Sequence, residues 1–426
     1  MPKLLSESPD ILPIHRKILA FSFIGWIFDF YDLLILTYIV ATTSLKQDLG
    51  LNDWQVSFIL GTGLAFTAVG GLFGGAMGDR YGRKPLLMLT ILVYSIGTLL
   101  SGFAVGFWSL MIPRAITGFG VGGEWAVAHA LVGETVPPNV RGRYGSYLQS
   151  GSAFARFFAT TVAYSIAPII GWRFSFMLSA LPALLVVFIR RSMPESDLWL
   201  KHQEESGGKD RGHMAILAEM VGPALRGTTA IAFTITVLNM AAYWFKTIWL
   251  PTYITGDRGW TLQQSTHLLY MDQIGSLIGY VSFGYISDWV GRRSSFMVYS
   301  FIKAIGLFMI TLGWGFATSI PGGIFVSMFI VGLGEGNWGC IGPLLNEVFP
   351  TSVRSAALGI IYNLARGVQF LAPTIITYMA ARVSFGAGIA LAAPFAVLAG
   401  LAVWMLPETK GKRLTTTAAL SEARTT

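Results

Sequence analysis

The chain has 426 residues, of which 53% are hydrophobic and only 12% are charged, and it carries a formal net charge of +8. Together with a mean hydropathy of +0.59, this composition excludes an ordinary soluble domain and a disordered chain, and it indicates a membrane protein. The lone Cys340 excludes an internal disulfide.

Apolar runs of about 20 residues, the length that a helix needs to cross the hydrocarbon of a bilayer, recur along the whole chain. We predict an all-α membrane protein. Its twelve membrane helices are expected at residues 18–40, 54–77, 86–106, 108–132, 144–168, 174–190, 227–254, 266–286, 294–314, 320–345, 355–379 and 384–405. The first 17 residues lack the features of a signal peptide, so we expect them to stay as a tail.

Basic residues in short loops indicate which side of the membrane a loop occupies, because Lys and Arg are retained on the cytoplasmic side. Most of the 30 Lys and Arg residues fall in the tails and in the loops after even-numbered helices, whereas the other loops hold Lys46, Arg173, Arg258 and Arg382. We therefore expect a plasma or inner membrane protein with both termini in the cytoplasm. This asymmetry explains the net charge, and no nucleic-acid partner is expected.

Three loop motifs recur at a nearly constant distance, which indicates an internal repeat. GGAMGDRYGRKP after helix 2 matches FGYISDWVGRRS after helix 8, where 288 − 79 = 209. ETVPPNVRG matches EVFPTSVRS, where 354 − 141 = 213, and MPESD matches LPETK, where 407 − 194 = 213. The chain therefore consists of two six-helix halves.

The repeat also sets the expected domain boundaries. The halves are predicted at residues 18–190 and 227–405, and a charged, glycine-bearing cytoplasmic linker is predicted at 191–226. Cytoplasmic tails are predicted at 1–17 and 406–426. Two parallel six-helix halves are the architecture of a transporter that rocks around a site near the middle of the membrane.

The loop after helix 2 resembles the signature loop of the major facilitator superfamily. Helix 4 and its following loop, RAITGFGVGGEWAVAHALVGETVPPNVRG, and MPESDLWL after helix 6 are similar to the metabolite:proton symporters. GWIFDFYDLL in helix 1 looks most like the branch that carries sialate, lactate and related carboxylates. The resemblance covers essentially the whole chain and implies alternating access. It departs from the pattern at Trp289, which stands where the first loop has Arg80.

Ionisable side chains within the predicted helices are functional candidates, because each is costly in the membrane unless it faces a partner or water. The ten are Asp29, Asp32, Glu124, Asp272, Glu335, Arg114, Arg156, Lys246, Lys303 and Arg366. Interhelical hydrogen bonding is the favoured role for Asp272 and Glu335, and also for His129.

Asp29, Asp32 and Glu124 are predicted to couple protons to transport. Asp29 lies 29 − 17 = 12 residues beyond Lys17, about 18 Å along a helix and near mid-membrane, and Asp32 follows one turn later. A buried carboxylate pair tends to retain a proton, because desolvation and mutual repulsion disfavour two charges. The alternatives are a plain ion pair with a neighbouring Arg and, for Glu124, close helix packing in its glycine-rich context.

Arg156 and Arg366 are predicted to bind an anionic substrate, because a planar guanidinium binds carboxylates bidentately. They lie mid-membrane in helices 5 and 11, the same element of each half. The alternative is that they are counter-ions for Asp29, Asp32, Glu124 or Glu335, and the alternative for Lys246 is to extend toward the surface. The other predicted substrate-binding residues are Gln149, Asn363, Asn239, Tyr243 and Lys246.

Opposite charges in the repeated loops are predicted to form a cytoplasmic gate that joins helices when the site opens outward. The predicted gate residues are Gly75, Asp79, Arg80, Gly82, Arg83, Lys84, Glu134, Arg141, Asp288, Gly291, Arg292, Glu347 and Arg354.

The function predicted from these features is secondary active, proton-coupled uptake of a small organic anion, a carboxylate such as lactate, sialate or an aromatic acid. No phosphate loop, metal-ligand spacing or nucleophile motif is present in the sequence, so we expect no enzyme activity, metal or cofactor. The partners expected are the anion, protons and the lipid bilayer, and the protein is expected to be a monomer. A sugar or sugar-acid porter or facilitator stays open as the alternative, although helix 7 lacks the paired glutamines of sugar porters; a sensor would need an added signalling domain.

Overall fold

The computed structural model describes residues 12–135, 141–184, 218–350 and 353–409. Within these ranges the chain is almost wholly helical and contains no β-strand. Most of each predicted tail, most of the predicted linker and residues 185–190 of the predicted helix 6 lie outside the described residues.

The first half contains six membrane helices. They are α1 (Pro13–Thr42), α2 (Asp53–Tyr81), α3 (Arg83–Ser101), α4 (Phe107–Thr135), α5 (Arg141–Thr161, continued by the π-helical turn Val162–Ile166) and α6, which shares the segment Ala167–Leu178 with the end of α5. Gly171, with φ of 80°, breaks that segment and separates the two helices.

The second half repeats the six-helix pattern. Its helices are α7 (Arg226–Thr247), α8 (Leu262–Val290), α9 (Arg292–Ile310), α10 (Gly323–Gly334 and Trp338–Val348), α11 (Arg354–Val368 and Leu371–Arg382) and α12 (Phe385–Ala390 and Ala392–Ala402). The all-α architecture of twelve membrane helices in two halves is therefore as predicted.

By length and apolar composition alone, eight helical stretches in the described ranges qualify as membrane spans. The number is smaller than twelve because α5 and α6 count as one stretch and because α4, α8 and α11 do not qualify. Polar and charged side chains of these three helices, including Glu124, Asp272 and Arg366, are buried inside the bundle. Helices that line an interior need less lipid-facing apolar surface than peripheral ones.

Several helices differ in detail from the predicted spans. α2 and α8 extend beyond the predicted ends, to Tyr81 and Val290, because they continue past the hydrocarbon. α10 is interrupted by a 3₁₀ turn at Glu335–Asn337, and α11 is interrupted after Val368. Apolar periodicity does not report such interruptions, because the residues on either side remain membrane-compatible.

The repeat predicted from the loops is visible in the backbone. Gly82 begins α3 with φ 105° and ψ 158°, and Gly291 begins α9 with φ 117° and ψ 160°. A side chain at either position would strain the backbone, because residues other than glycine rarely adopt these positive φ angles. The two halves therefore make the same sharp turn at the same place.

Small residues bring α2 against α4 and α8 against α10. A Cβ at Gly122 would collide with the backbone oxygen of Thr67, and a Cβ at Gly332 would collide with that of Asp272. Close backbone approach of this kind drives helix association where lipid removes the hydrophobic force. Each half is therefore a tightly packed unit that can move as a body.

The two halves meet along two seams, α5 with α8 and α2 with α11. In the first seam, Gln273 donates to Thr160 at 2.8 Å and Ser152 donates to Tyr280 at 3.1 Å. In the second, the hydroxyl oxygens of Ser57 and Thr377 lie 2.6 Å apart. These contacts lie at different depths, so the halves touch on both sides of the bundle centre.

The loop between α1 and α2 is joined to the start of α6. Trp172 Nε1 donates to Asp48 at 2.8 Å, and Ser44 Oγ donates to the same carboxylate at 2.9 Å. These two hydrogen bonds hold the pKa of Asp48 below its usual value. The carboxylate form, which accepts both bonds, therefore persists to lower pH.

Gly122→Ala is expected to destabilise the fold by about 1–3 kcal/mol, because the added methyl overpacks the α2–α4 contact. The matched control is Gly106→Ala, since nothing lies within 4 Å of a Cβ there. The measurement is the thermal unfolding midpoint of the purified proteins in detergent. Equal midpoints for the two variants would contradict the close packing of α2 on α4.

Candidate functional site

A small cavity lies at the centre of the bundle, between the two halves. Six helices contribute to its wall. The lining residues are Phe30, Gln149, Ser152, Met240, Tyr243, Trp244, Tyr280, Trp338, Tyr362 and Arg366. An apolar wall with a few convergent polar groups is typical of a small-molecule site.

Two further cavities adjoin the central one. Gln149, Trp338 and Tyr362 also line a second small cavity, which extends past His129 toward the end of the bundle where α1 begins. Trp244 also lines a third small cavity, whose wall includes Asp32. The three spaces follow one another through the protein, with aromatic side chains between them.

The partition toward the α1 end joins the two halves. The rings of Trp125 in α4 and Tyr362 in α11 are stacked, with centroids 3.5 Å apart and planes 3° apart. Trp338 of α10 meets the same tyrosine edge-on, with centroids 6.1 Å apart. This stack separates the central cavity from the cavity beside His129.

Three predicted proton-coupling acids are buried together in the first half. Asp29, Asp32 and Glu124 are fully buried, and Glu124 interacts electrostatically with both aspartates. Within the described part of the chain, the Asp29 carboxylate has no hydrogen-bond partner, whereas Thr98 lies against Asp32 and Tyr94 lies against Glu124. A Cβ at Gly25 would lie 2.5 Å from Glu124 Oε1, which shows how closely α4 approaches α1.

Two arginines flank these acids. Arg114 donates to the hydroxyls of Ser101 at 3.0 Å and Thr98 at 2.9 Å, and to the backbone oxygen of Asp32 at 3.2 Å. Arg366 comes from the other half and interacts electrostatically with Asp29. A substrate cavity and a carboxylate cluster therefore share Arg366.

Two guanidinium nitrogens of Arg366 make no hydrogen bond to the described residues. Its Nη2 donates to Tyr362 Oη at 3.1 Å, and its guanidinium lies 5.8 Å from the Trp26 ring centroid. Its Nε and Nη1 are buried and have no partner among the described groups. Buried donors are normally satisfied, so this arginine is suited to bind an acceptor that enters the cavity.

A second ionic cluster lies mostly in the other half. Asp272 Oδ2 accepts from Arg156 Nη1 at 2.9 Å, and its Oδ1 accepts from Lys246 Nζ at 3.0 Å. Glu335 is 3.1 Å from Lys246 Nζ and 3.2 Å from Lys303 Nζ. The result is a continuous chain of five charges from α5 through α8 and α7 to α10 and α9.

The 3₁₀ turn in α10 completes the second cluster. It directs Glu335 and Asn337 toward Lys303, whose Nζ donates to the amide oxygens of Asn337 at 3.1 Å and Asn239 at 3.2 Å. Asn337 Nδ2 also donates to Asn239 at 2.8 Å. The ammonium group is held by three oxygen-bearing side chains, which lets a lysine stay charged away from water.

The predicted substrate residues separate into three groups. Gln149, Tyr243 and Arg366 line the cavity, and Arg156 lies beside it, 5.8 Å from the Tyr243 ring centroid.

Asn239 and Lys246 belong to the second ionic cluster instead, and Lys246 is 1% exposed, so it does not extend toward the surface. Asn363 donates to Gly359 and packs against Gly71 of α2 rather than lining the cavity.

The counter-ion alternative for Arg156 is answered by a residue that the prediction did not pair with it. Its carboxylate partner is Asp272, and not one of the three acids of the first half. Asp272, Glu335 and Lys303 are the central residues that the predicted site omitted. Their position inside apolar helices was a signal, but their mutual pairing depends on how helices far apart in sequence pack.

One further signal was available from the repeat. The offset 338 − 125 = 213 that relates the loops also relates Trp125 to Trp338. Both indoles contact Tyr362. The offset could therefore have identified the aromatic partition as a repeated element.

Part of the predicted gate is assembled at the end of the bundle where α1 begins. Arg292 Nη2 lies 3.6 Å from Glu347 Oε1, and Thr409 donates to the other oxygen of Glu347 at 2.5 Å. Glu408, which the repeat placed in LPETK, accepts from the backbone nitrogens of Arg292 and Arg293 at 2.9 and 3.1 Å. A carboxylate at a helix N-terminus is favourable.

The remaining gate residues are less fully described. Gly82 and Gly291 form the matching turns, and Lys84 lies in the first turn of α3. Gly75 lies in α2. The side chains of Asp79, Arg80, Arg83, Glu134, Arg141, Asp288 and Arg354 lie outside those that the structure describes, and their gating role stays a prediction.

Glu335→Gln is expected to destabilise the protein by about 3–5 kcal/mol, because it leaves two buried lysines with one fewer carboxylate. Lys303→Met is expected to lower the free energy of unfolding by less, because the two remaining cations and the two acids of the cluster then have a net charge of zero. The exposed pair of Lys46 and Asp53, 2.6 Å apart, supplies the control: Lys46→Met is expected to cost less than about 1 kcal/mol.

The measurement is the thermal midpoint of each purified variant in detergent at one pH and salt concentration. A midpoint for Glu335→Gln at or above that of Lys303→Met would contradict the charge balance inferred for the cluster.

Comparisons with known proteins match the chain over most of its length. The family model of the Major Facilitator Superfamily matches residues 21–312 and 232–424. The sialic acid transporter NanX of Escherichia coli (strain K12) is 34% identical over 390 residues, which cover 90% of this chain and 91% of that protein.

A second relative and a solved structure agree with this. The cis,cis-muconate transport protein of Acinetobacter baylyi (strain ATCC 33305 / BD413 / ADP1) is 26% identical over 372 residues, covering 86% of this chain and 88% of that protein. The proton:xylose symporter XylE bound to 6-bromo-6-deoxy-D-glucose has a TM-score of 0.76 at 22% identity, covering 96% of this chain and 99% of that one. At this identity the likeness concerns the fold.

Proposed function

The chain belongs to the major facilitator superfamily, and on that premise we propose that it takes up a small organic anion together with protons by alternating access. The family resemblance predicted from the loop motifs is confirmed, and with it the class: a multi-pass membrane transporter and not an enzyme. The rest of this proposal concerns the cargo, the coupling ion and the direction.

The observation that carries the proposal is the separation of charge across the central cavity. The two buried clusters carry opposite formal charges. The three acids of the first half outnumber the two arginines beside them, Arg114 and Arg366, by one (2 − 3 = −1). The second cluster has one cation more than its two acids (3 − 2 = +1). Unlike charges held apart in a low dielectric attract mobile charges of the opposite sign. The cationic side suits an anion and the acidic side suits a proton.

A charge count supports coupling of the two. Apart from Arg292 at the α1 end of the bundle, the buried Asp, Glu, Lys and Arg side chains among the described residues are five acids and five bases, so their formal charges sum to 5 − 5 = 0. A monovalent anion entering alone would leave an uncompensated negative charge in the membrane, which is costly. One proton on a carboxylate of the first half restores the balance, so the loaded and empty carriers carry the same buried charge.

Arg366 and Arg156 are the proposed contacts for the anion, from opposite sides of the cavity. Each has unpartnered guanidinium nitrogens among the described groups, and guanidinium groups bind carboxylates in a planar, bidentate way. Gln149 and Tyr243 line the same space and can hydrogen-bond the uncharged part of the cargo. The aromatic wall suits its apolar part.

Asp29 is the proposed proton carrier, and Asp32 and Glu124 support it. Asp29 interacts with Arg366, so an anion that binds this arginine weakens an attraction that favours the ionised form of Asp29. Proton uptake and anion binding then favour each other, which is a coupling free energy between two sites. Asp32 lies beside Arg114 of α4, which donates to its backbone oxygen.

The names of two relatives indicate which anions to test. One is a sialic acid transporter and another a cis,cis-muconate transport protein, and both cargoes are organic acids. We propose a carboxylate for this chain as well. We further propose that the α1 end of the bundle is cytoplasmic, because most Lys and Arg residues of the loops lie there, and that Arg292 and Glu347 form part of a gate at that end.

The first experiment uses purified protein in liposomes that contain a pH-sensitive dye. Sialate, cis,cis-muconate, lactate and benzoate are added outside, with an inward proton gradient. Protein-dependent acidification of the lumen with one of these acids is the expected result, since a proton enters with the anion. Protein-free liposomes measure passive permeation of the weak acids. No acidification by any acid, with labelled xylose equilibrating across the membrane, would overturn the proposal in favour of a sugar facilitator.

Asp29→Asn is expected to abolish uphill accumulation of the transported acid while exchange of labelled for unlabelled acid stays within about twofold of wild type, because exchange needs no net proton movement. Asp32→Asn is expected to reduce accumulation less. The control is Asp53→Asn, an aspartate outside the bundle interior that pairs with Lys46. Normal accumulation by Asp29→Asn would remove this residue from the coupling mechanism.

A further inference from the structure

We propose that Asp272 is an internal substitute for the carboxylate of the cargo: it occupies Arg156 in the empty carrier, and the entering anion displaces it. The inference rests on the proposed anion transport and adds a residue that competes with the cargo. It also explains how the carrier can change conformation without cargo while Arg156 keeps a carboxylate partner.

The contacts of Asp272 are those that a bound anion would make. Its Oδ2 accepts from Arg156 Nη1 at 2.9 Å, and its Oδ1 accepts from Lys246 Nζ at 3.0 Å. The side chains of Arg156 and Lys246 are each 1% exposed. One carboxylate therefore bridges two buried cations, on α5 of the first half and α7 of the second.

Arg156 can accommodate a second carboxylate. Its Nε and Nη2 are buried, and neither has a partner in the described part of the chain. Ser152 lies one turn before Arg156 on α5 and Gln149 lies two turns before it, and both line the central cavity. The guanidinium is also within 5.8 Å of the Tyr243 ring centroid. An anion in this cavity reaches the arginine next to Asp272.

Displacement leaves Asp272 with a partner. When Arg156 turns to the cargo, Asp272 retains Lys246, and Glu335 retains Lys303. The five-residue cluster contains three cations and two acids, so it has one positive charge more than its own carboxylates neutralise. The exchange of partners therefore leaves no buried charge without an oppositely charged partner, so its free-energy cost is low.

The exchange has a mechanical consequence. The bond between Arg156 and Asp272 joins α5 to α8, the seam between the two halves, where Gln273 with Thr160 and Tyr280 with Ser152 make neutral hydrogen bonds. Binding of an anion replaces the charged contact among these three hydrogen bonds. Cargo binding thus loosens the seam that has to open, whereas the empty carrier keeps it closed.

The test is calorimetric titration of wild type and Asp272→Asn, purified in detergent, with sialate, cis,cis-muconate, lactate and benzoate. If Asp272 competes with the cargo, the variant binds the acid transported by wild type with a Kd at least about tenfold lower, given the energies typical of buried charge pairs. Uphill uptake slows because the empty carrier returns with an unpaired arginine, while exchange continues.

Two matched variants separate competition from other effects. Tyr270→Phe removes a contact of the same seam, the 2.8 Å approach to Thr161, without changing charge, and is expected to leave the Kd unchanged. Glu335→Gln adds the same charge to the cluster as Asp272→Asn but leaves Arg156 occupied, so its Kd is expected to change less. Asp272→Ser is a second variant of the residue itself, and elution as a single species from a sizing column checks the folding of each.

The outcomes distinguish this inference from the proposed function. An acid that wild type binds and transports, but that Asp272→Asn binds equally or more weakly, overturns the competition and leaves the transport proposal intact. Tightening in Glu335→Gln equal to that in Asp272→Asn also overturns it, because the effect is then one of overall charge. Failure of both wild type and Asp272→Asn to bind any of the acids overturns both proposals.

Discussion

The structure depends on one constraint, which is that charged side chains buried away from water have to be compensated by one another. Apart from Arg292 at the α1 end of the bundle, ten such side chains lie among the described residues, five of each formal sign. An isolated charge at this depth is strongly unfavourable, so their positions limit how the helices can pack. The 3₁₀ turn in α10 follows from this constraint, because it brings Glu335 and Asn337 to Lys303.

Compensation is achieved differently in the two halves. In the second half, Asp272 and Glu335 make direct contacts with lysines and with Arg156, and the cluster is closely bonded. In the first half, the Asp29 carboxylate has no hydrogen-bond partner among the described residues. The bonded cluster suits a framework that exchanges partners, and the unbonded Asp29 suits a site that binds and releases a proton. This difference could not follow from residue type, since both halves contain the same kinds of acid.

The glycine contacts and the aromatic partition link the buried charges to movement of the two halves. Close packing of α2 on α4 and α8 on α10 makes each half stiff, so a change at the seam is expressed as movement of whole halves. The stack of Trp125 on Tyr362 separates the central cavity from the cavity beside His129. A single exchange at Arg156 then acts on a two-state assembly rather than on a soft cavity, which is how small shifts become large ones.

The sequence by itself determined the class, the two-half architecture and the set of buried ionisable residues. Apolar length, loop charge and the offset of 213 are local or periodic properties, and they require no knowledge of helix packing. Only the tertiary structure decided which buried polar and charged side chains contact each other. Arg156 meets Asp272 across 116 residues, Lys246 faces inward to two acids, and Asn363 packs on α2 instead of lining the cavity. Pairing of this kind depends on which helix faces pack together, and the sequence of one helix does not specify which helix lies beside it.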